Sequence, residues 1–155
     1  MTVTADDVYD NLLYLESLIL GPAPVRTLLD DSGLPGDFWV LAAQYSVYVR
    51  NRCPRASNPG GVSPFQAFTS EVPDVGSLRP FGCKAFMHLP AARRPSKLEP
   101  RAVEAIFVGV QTSSNTYKLW VPASWDNPGA AGRLYESRDV RFDPGWTLGG
   151  VPRVA

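Results

Sequence analysis

The stretch that decides the fold begins with KAFMHL at residues 84–89 and EAIFVGV at 104–110, and continues with TYKLWV at 116–121 and LYESRDVRF at 134–142. These segments are rich in aromatic and β-branched residues and are bounded by Gly, Pro, Ser and Asn, which is typical of short strands. Four or five strands within about 65 residues predict a small antiparallel β-barrel.

The residues before this stretch have helical rather than strand periodicity. Apolar residues recur at helical spacing in 4–20, again in 25–33 up to Gly33, and most clearly in the segment that ends at Pro54. The apolar face of that third segment holds Phe38, Leu41, Ala42, Tyr45, Tyr48 and Val49. A short fourth helix is expected after Ser63, which can cap it, with Pro64 at its first position. The predicted fold class is therefore α+β, with N-terminal helices followed by the barrel.

Composition and charge exclude several classes of protein. Among 155 residues, 45% are hydrophobic and 19% charged, which favours a packed core over global disorder. No apolar run approaches the roughly 18 residues of a membrane span, and the acidic start argues against a secretory signal. The net charge is zero, but residues 1–36 carry −5 and residues 79–101 carry +5. Such a basic segment attracts polyanions or is simply a solvated surface.

The chain has few residues that could hold a metal ion or act as a nucleophile through sulfur or imidazole, with two cysteines and one histidine. Cys53 and Cys83 do not form a disulfide framework, and we expect both to be buried small hydrophobic residues in a reducing compartment. Cys83 and His88 lack the second ligand pair that zinc requires. His88 is the only histidine, and it lies in a predicted strand. We expect no cofactor, no metal site and no catalytic residues.

Several blocks, in order, resemble the integrase region of copia-type retrotransposon polyproteins. GLPGDFWVLAAQYSVYVRNRCP at 33–54 carries that family's Gly-Leu-Pro, Phe-Trp and Asn-Arg-x-Pro positions. LRPFGCKAF at 78–86, KLEPRAVEAIFVGV at 97–110 and SRDVRFDP at 137–144 resemble later blocks of the same family. The resemblance covers about residues 25–143 and implies a truncated Pol polyprotein fragment, ancestrally in DNA integration, whose second part is a Src-homology-3-like β-barrel.

The resemblance divides the chain into four parts. Residues 1–24 form an unmatched N-terminal helix, 25–72 the helical end of a truncated integrase core, 73–143 the Src-homology-3-like β-barrel and 144–155 a flexible tail. The family's two strand aspartates and its zinc module lie upstream of the matched blocks, and Glu16 lacks the flanking Arg and Asn of the family's catalytic glutamate. Because two metal ions need three carboxylates, we expect no catalysis by this chain alone.

The remaining chemistry is binding. We expect weak, non-specific DNA binding by six basic residues of the barrel and its loops, namely Arg79, Lys84, Arg93, Arg94, Lys97 and Arg101. Stacking of bases on tryptophan is possible in principle, but we expect Trp39 to pack under the third helix, and Trp120 and Trp125 to pack in the core or on the barrel. Trp146 is placed in the tail.

Two other readings stay open. In the first, the apolar face with Phe38, Leu41 and Tyr45 packs on the barrel, on the first helix or on another integrase-like chain, which would make the fragment a protein-interaction module. In the second, the chain is a decayed gene fragment with no selected activity. We expect an intracellular location, nuclear if the family role is retained, and no membrane association.

Overall fold

The structure is a computed structural model that describes residues 23–89, 101–129 and 131–149. The helix expected over residues 4–20 lies outside these ranges. Among the described residues, no helix has the length and apolar character needed to cross a lipid bilayer.

Within residues 23–82, three α-helices precede the sheet. Helix α1 spans Ala23–Ser32, α2 spans Trp39–Arg52 and α3 spans Pro64–Thr69. Short 3-10 turns at Gly36–Phe38 and Pro59–Gly61 lead into α2 and α3. The expected cap of α3 is confirmed, because the Ser63 hydroxyl accepts a hydrogen bond from the Gln66 N–H at 3.2 Å.

The second half forms one five-stranded antiparallel sheet in the order β4-β3-β2-β1-β5. Its strands are β1 (Cys83–His88), β2 (Ala102–Gln111), β3 (Thr116–Pro122), β4 (Gly132–Ser137) and β5 (Val140–Thr147). The α+β class and the run of short antiparallel strands are confirmed.

The sheet curls strongly on itself. Tyr117 on β3 and Phe142 on β5 lie 4.8 Å apart between ring centroids, although β2 and β1 separate their strands in the sheet. Phe107 on β2 fills the space between them, with its ring 6.0 Å from Tyr117 and 5.5 Å from Phe142. A flat sheet would hold strands β3 and β5 about 14 Å apart, since neighbouring strands are spaced by about 4.8 Å. The curl therefore agrees with the expected barrel.

Helix α2 packs on the sheet through the apolar face identified in the sequence. Tyr45 stands edge-on to Phe107 at 5.2 Å, and Phe38 stands edge-on to Trp120 at 5.3 Å. The Tyr45 hydroxyl also donates to the Arg79 carbonyl and accepts from the Arg79 N–H. Of the packing options open for this face, the chain's own sheet is the one observed. Among the described residues, Phe38 and Tyr45 of this face are thus buried within the chain itself.

Gly82 in the LRPFGC block allows α1 to approach the sheet closely. Its backbone has a φ of 78°, and its N–H donates to the Phe107 carbonyl at 2.8 Å. A Cβ on Gly82 would collide with the Ser32 side chain at the end of α1. Glycine is required here for both conformation and space.

The prediction of a flexible tail from residue 144 is wrong for its first residues, which form part of a strand. Strand β5 continues through Pro144 and Gly145 to Thr147, which is buried and pairs with Cys83. Beyond it, the Gly149 N–H donates to the Ser32 carbonyl at 3.1 Å. Pro144 reads as a strand breaker, but β5 is an edge strand, where a missing N–H is tolerated.

Candidate nucleic-acid interface

The connection between β1 and β2 leaves the sheet and returns to it at one place. The Leu89 N–H donates to the Arg101 carbonyl at 2.9 Å, and the neighbouring His88 N–H donates to the Asp139 carbonyl at 3.0 Å. Arg101 is exposed at the base of this connection. Three of the six predicted cations belong to the connection but lie outside the described residues: Arg93, Arg94 and Lys97. Of the four predicted cations of this connection, the structure therefore describes Arg101, at this end of the sheet.

Arg79 is already used by the chain itself. One terminal guanidinium nitrogen donates to the Gly76 carbonyl at 2.6 Å and to the Leu78 carbonyl at 2.8 Å. The guanidinium lies 5.3 Å from the centre of the Phe142 ring, and the residue is half-buried. These contacts fix the loop before β1 and leave fewer of its five N–H donors for a ligand.

Lys84 is also engaged. Its Nζ lies 3.0 Å from Glu104 Oε2, and its side chain is only 21% exposed. The same nitrogen lies 5.4 Å from the Trp125 ring centre and 5.2 Å from that of Trp146. Its charge is therefore balanced within the chain by Glu104.

Two arginines that sequence reasoning did not select lie on β5 or just before it. Arg141 on β5 is exposed and pairs with Phe86 on β1 across the strands. Arg138 is exposed, and its guanidinium donates to the Ser114 carbonyl at 2.7 and 3.2 Å. Both lie in the SRDVRF block, whose period-two alternation would have marked Arg141 as outward-facing.

Arg141 lines an open groove of about 790 Å³. Its other lining residues come from β1, the start of β2 and β5, and are Phe86, His88, Ala102, Asp139, Val140, Phe142 and Asp143. Two of them, Asp139 and Asp143, are acidic and oppose a polyanion. The groove itself therefore offers a polyanion one arginine against two carboxylates.

Of the two cysteines, both among the described residues, Cys83 is buried as expected, but the expectation for Cys53 is wrong, because Cys53 is exposed. Within the described ranges no group of three His, Cys, Asp or Glu side chains is placed to hold a metal ion. Burial raises the pKa of the Cys83 thiol to about 12 and that of the Tyr45 hydroxyl to about 12, so both are protonated at neutral pH. Glu16 and the aspartates near the N-terminus lie outside the described residues.

The tryptophans divide into packed and exposed ones. Trp120 packs on Phe38 and donates from Nε1 to the Pro128 carbonyl at 2.8 Å, and Trp125 is partly buried against the core, as expected. The expectation for Trp39 is wrong, because this residue is 45% exposed. Trp39 is the first residue of α2 and adjoins Phe38, which takes the inward position instead.

Comparison with known proteins gives this fold a context. Residues 83–148 match the family of retroviral polymerase SH3-like domains. The chain is 32% identical over 118 residues to the retrovirus-related Pol polyprotein from transposon TNT 1-94 of Nicotiana tabacum, covering 76% of this chain and 8% of that protein. It is 33% identical over 118 residues to the Pol polyprotein from transposon RE2 of Arabidopsis thaliana, covering 76% of this chain and 7% of that protein.

A shorter relative is an uncharacterized mitochondrial protein of Arabidopsis thaliana, 36% identical over 78 residues, which are 50% of this chain and 61% of that protein. No solved structure matches the chain significantly. The chain thus spans less than a tenth of the length of the two Pol polyproteins. The predicted similarity to a retrotransposon polyprotein is confirmed, and the matched family domain extends past residue 143 to residue 148.

Proposed function

We propose that this chain binds DNA weakly and without sequence preference. The premise is that it is a fragment of a retrotransposon Pol polyprotein with a retroviral polymerase SH3-like domain. In the intact copia-type polyprotein this region would assist integration, and alone it would have no catalytic activity. Its place of action would then be the nucleus.

The observation that carries the proposal is the hydrogen bond between the Leu89 N–H and the Arg101 carbonyl. It holds the two described ends of the connection between β1 and β2, Leu89 and Arg101, next to each other at one end of the sheet. This connection carries Arg93, Arg94, Lys97 and Arg101 against Glu99. Clustered cations of this kind bind phosphates by releasing counterions, which gives affinity without base recognition.

The six predicted residues do not contribute equally under this proposal. Arg101 is exposed, and Arg141 joins it as a further phosphate contact on β5. Arg79 and Lys84 contribute least, because backbone carbonyls, aromatic rings and Glu104 already engage their charges.

Fluorescence anisotropy with a labelled duplex tests the proposal. A triple variant, Arg93→Ser, Arg94→Ser and Lys97→Ser, should weaken binding at low salt by about tenfold or more, since three phosphate contacts are lost. The matched control removes three cations elsewhere, with Arg26→Ser, Arg55→Ser and Arg133→Ser, and should retain most of the affinity. Equal losses in the two variants would attribute binding to net charge alone and contradict the proposed interface.

A second candidate function is a protein interface, because one apolar surface is unusually exposed. Phe68 is 89% exposed and Val72 is 79% exposed, and Val75 lies in the same loop region after α3. Under this second proposal, an integrase-like chain covers this surface. The surface after α3 then takes the place of the α2 face as the site of protein contact. Sedimentation at rising concentration tests it: association that Phe68→Ser abolishes supports the interface, and a monomer at every concentration argues against self-assembly.

A further inference from the structure

Three aromatic rings and one carboxylate surround the ammonium group of Lys84. The rings of Trp125 and Trp146 stand nearly at right angles, with centroids 5.8 Å apart and planes 78° apart. The Lys84 Nζ lies within 5.2–5.7 Å of the centres of these two rings and of Phe86. Glu104 Oε2 lies 3.0 Å from the same nitrogen. We call this group of three rings and Glu104 the aromatic cage.

The aromatic cage has the chemistry of a cation site. The faces of aromatic rings carry negative quadrupole charge, so rings that line a corner attract an ammonium group, and a carboxylate adds to the attraction. Methylated ammonium groups suit such sites better than a bare lysine, because a lysine ammonium is strongly hydrated and loses more on leaving water.

The cage is accessible, and its present occupant can leave it. Trp125, Trp146 and Phe86 are each only partly buried, and the Glu104 side chain is 48% exposed. Lys84 lies on β1 between the buried residues Cys83 and Ala85, so its side chain points away from the core. Its flexible four-carbon stem can swing into solvent without disturbing the strand.

We propose that the aromatic cage binds quaternary ammonium groups, with the side chain of a trimethylated lysine in a peptide as its ligand, and that Lys84 occupies the cage as an internal competitor. Ligand binding displaces Lys84, whose ammonium then turns to solvent. Because Lys84 is tethered, it acts as a competitor at high effective concentration. The unmodified chain therefore binds more weakly than a chain without this lysine.

Titration with tetramethylammonium, followed by the tryptophan indole N–H signals in NMR spectra, tests the site. The signals of Trp125 and Trp146 should shift, and those of Trp39 should not. Lys84→Ala should tighten binding by about fivefold, because tetramethylammonium no longer has to displace the Lys84 ammonium from the rings. The fivefold change corresponds to the free energy of about one cation–π contact. Glu104→Gln should weaken binding, and Trp146→Ala should abolish it, while Trp39→Ala serves as the matched control and leaves it unchanged.

The source of the ligand is identified by comparing choline with a trimethyl-lysine peptide and its unmethylated form. Tighter binding of the trimethylated peptide than of choline supports a peptide ligand, and equal binding overturns that part of the proposal. If Trp146→Ala is not folded by circular dichroism, Glu104→Gln decides in its place. Failure of Lys84→Ala to bind tetramethylammonium, or shifts at Trp39 alone, would overturn the site.

Discussion

At the residue scale, two buried groups that lose a proton at alkaline pH, the Cys83 thiol and the Tyr45 hydroxyl, make the stability of the protein depend on pH. Burial raises the pKa of Cys83 from 9.0 to about 12 and that of Tyr45 from 10.0 to about 12. Cys83 lies in β1 against the core, and the Tyr45 hydroxyl joins α2 to Arg79. In the unfolded chain both groups lose their protons at lower pH than in the folded chain.

The folded protein should therefore lose stability as pH rises above about 9. Between the unfolded and folded pKa values the folded state holds the proton that the unfolded state has lost, so each group lowers the free energy of unfolding by about 1.4 kcal/mol per pH unit. Urea denaturation at pH 8, 9, 10 and 11 measures this slope. Tyr45→Phe should make it shallower above pH 10, and an unchanged slope in this variant would contradict the role of Tyr45.

Arg52 makes a second residue-scale contribution. It is 7% exposed, with its guanidinium 3.5 Å from the Tyr48 ring centre and 4.9 Å from that of Phe65. This stack joins the end of α2 to α3. Arg52→Lys should cost about 1 kcal/mol of unfolding free energy, because an ammonium cannot stack as a planar guanidinium does. Arg50→Lys, in the same helical turn, is the matched control, and equal effects of the two would refute the stacking role.

At the element scale, the helices and strands were predictable because their periodicities are strong. The spacing of Phe38, Leu41 and Tyr45 predicts the buried face of α2, and Ser63 predicts the start of α3. The end of β5 was not predictable in this way, because Pro144 and Gly145 break the strand pattern and only an edge position makes them acceptable.

The interface was predictable in part. Charge counting finds the basic segment, but the sequence does not reveal that Arg79 donates to backbone carbonyls or that Lys84 pairs with Glu104. Glu104 is distant from Lys84 in the sequence, and the bonds of Arg79 to nearby carbonyls depend on the conformation of its long side chain. Arg141 was missed because its charge lies outside the basic segment, although β5 pairs with β1.

Strand β5 leads to a prediction about the end of the chain. A protein that stops at Asp143 loses Trp146, the Thr147 pairing with Cys83 and the packing of Leu148 on the core. Its free energy of unfolding should fall by at least about 3 kcal/mol, the usual cost of removing a large core side chain. Chemical denaturation beside the full chain measures this difference. If the truncated and full chains were equally stable, residues 144–149 would not contribute to the fold, and the prediction of a tail from residue 144 would hold.

At the scale of the whole molecule, a single core joins the helical segment to the five-stranded sheet. Tyr45 of α2 and Phe107 of β2 meet in that core, so residues 23–52 support the sheet. This arrangement places Leu89 and Arg101, where the connection between β1 and β2 leaves and rejoins the sheet, at one end of that support. The acidic and basic residues balance to a net charge of zero over the chain, and the proposed DNA binding therefore depends on where the cations lie.

The salt dependence of DNA affinity tests this central claim most directly. Five phosphate contacts, from Arg93, Arg94, Lys97, Arg101 and Arg141, predict a slope of about −4.5 in a plot of log K against log salt concentration. The triple variant at positions 93, 94 and 97 should reduce the slope to about −2. A slope that stays the same in the triple variant, or no binding even at low salt, would contradict the account.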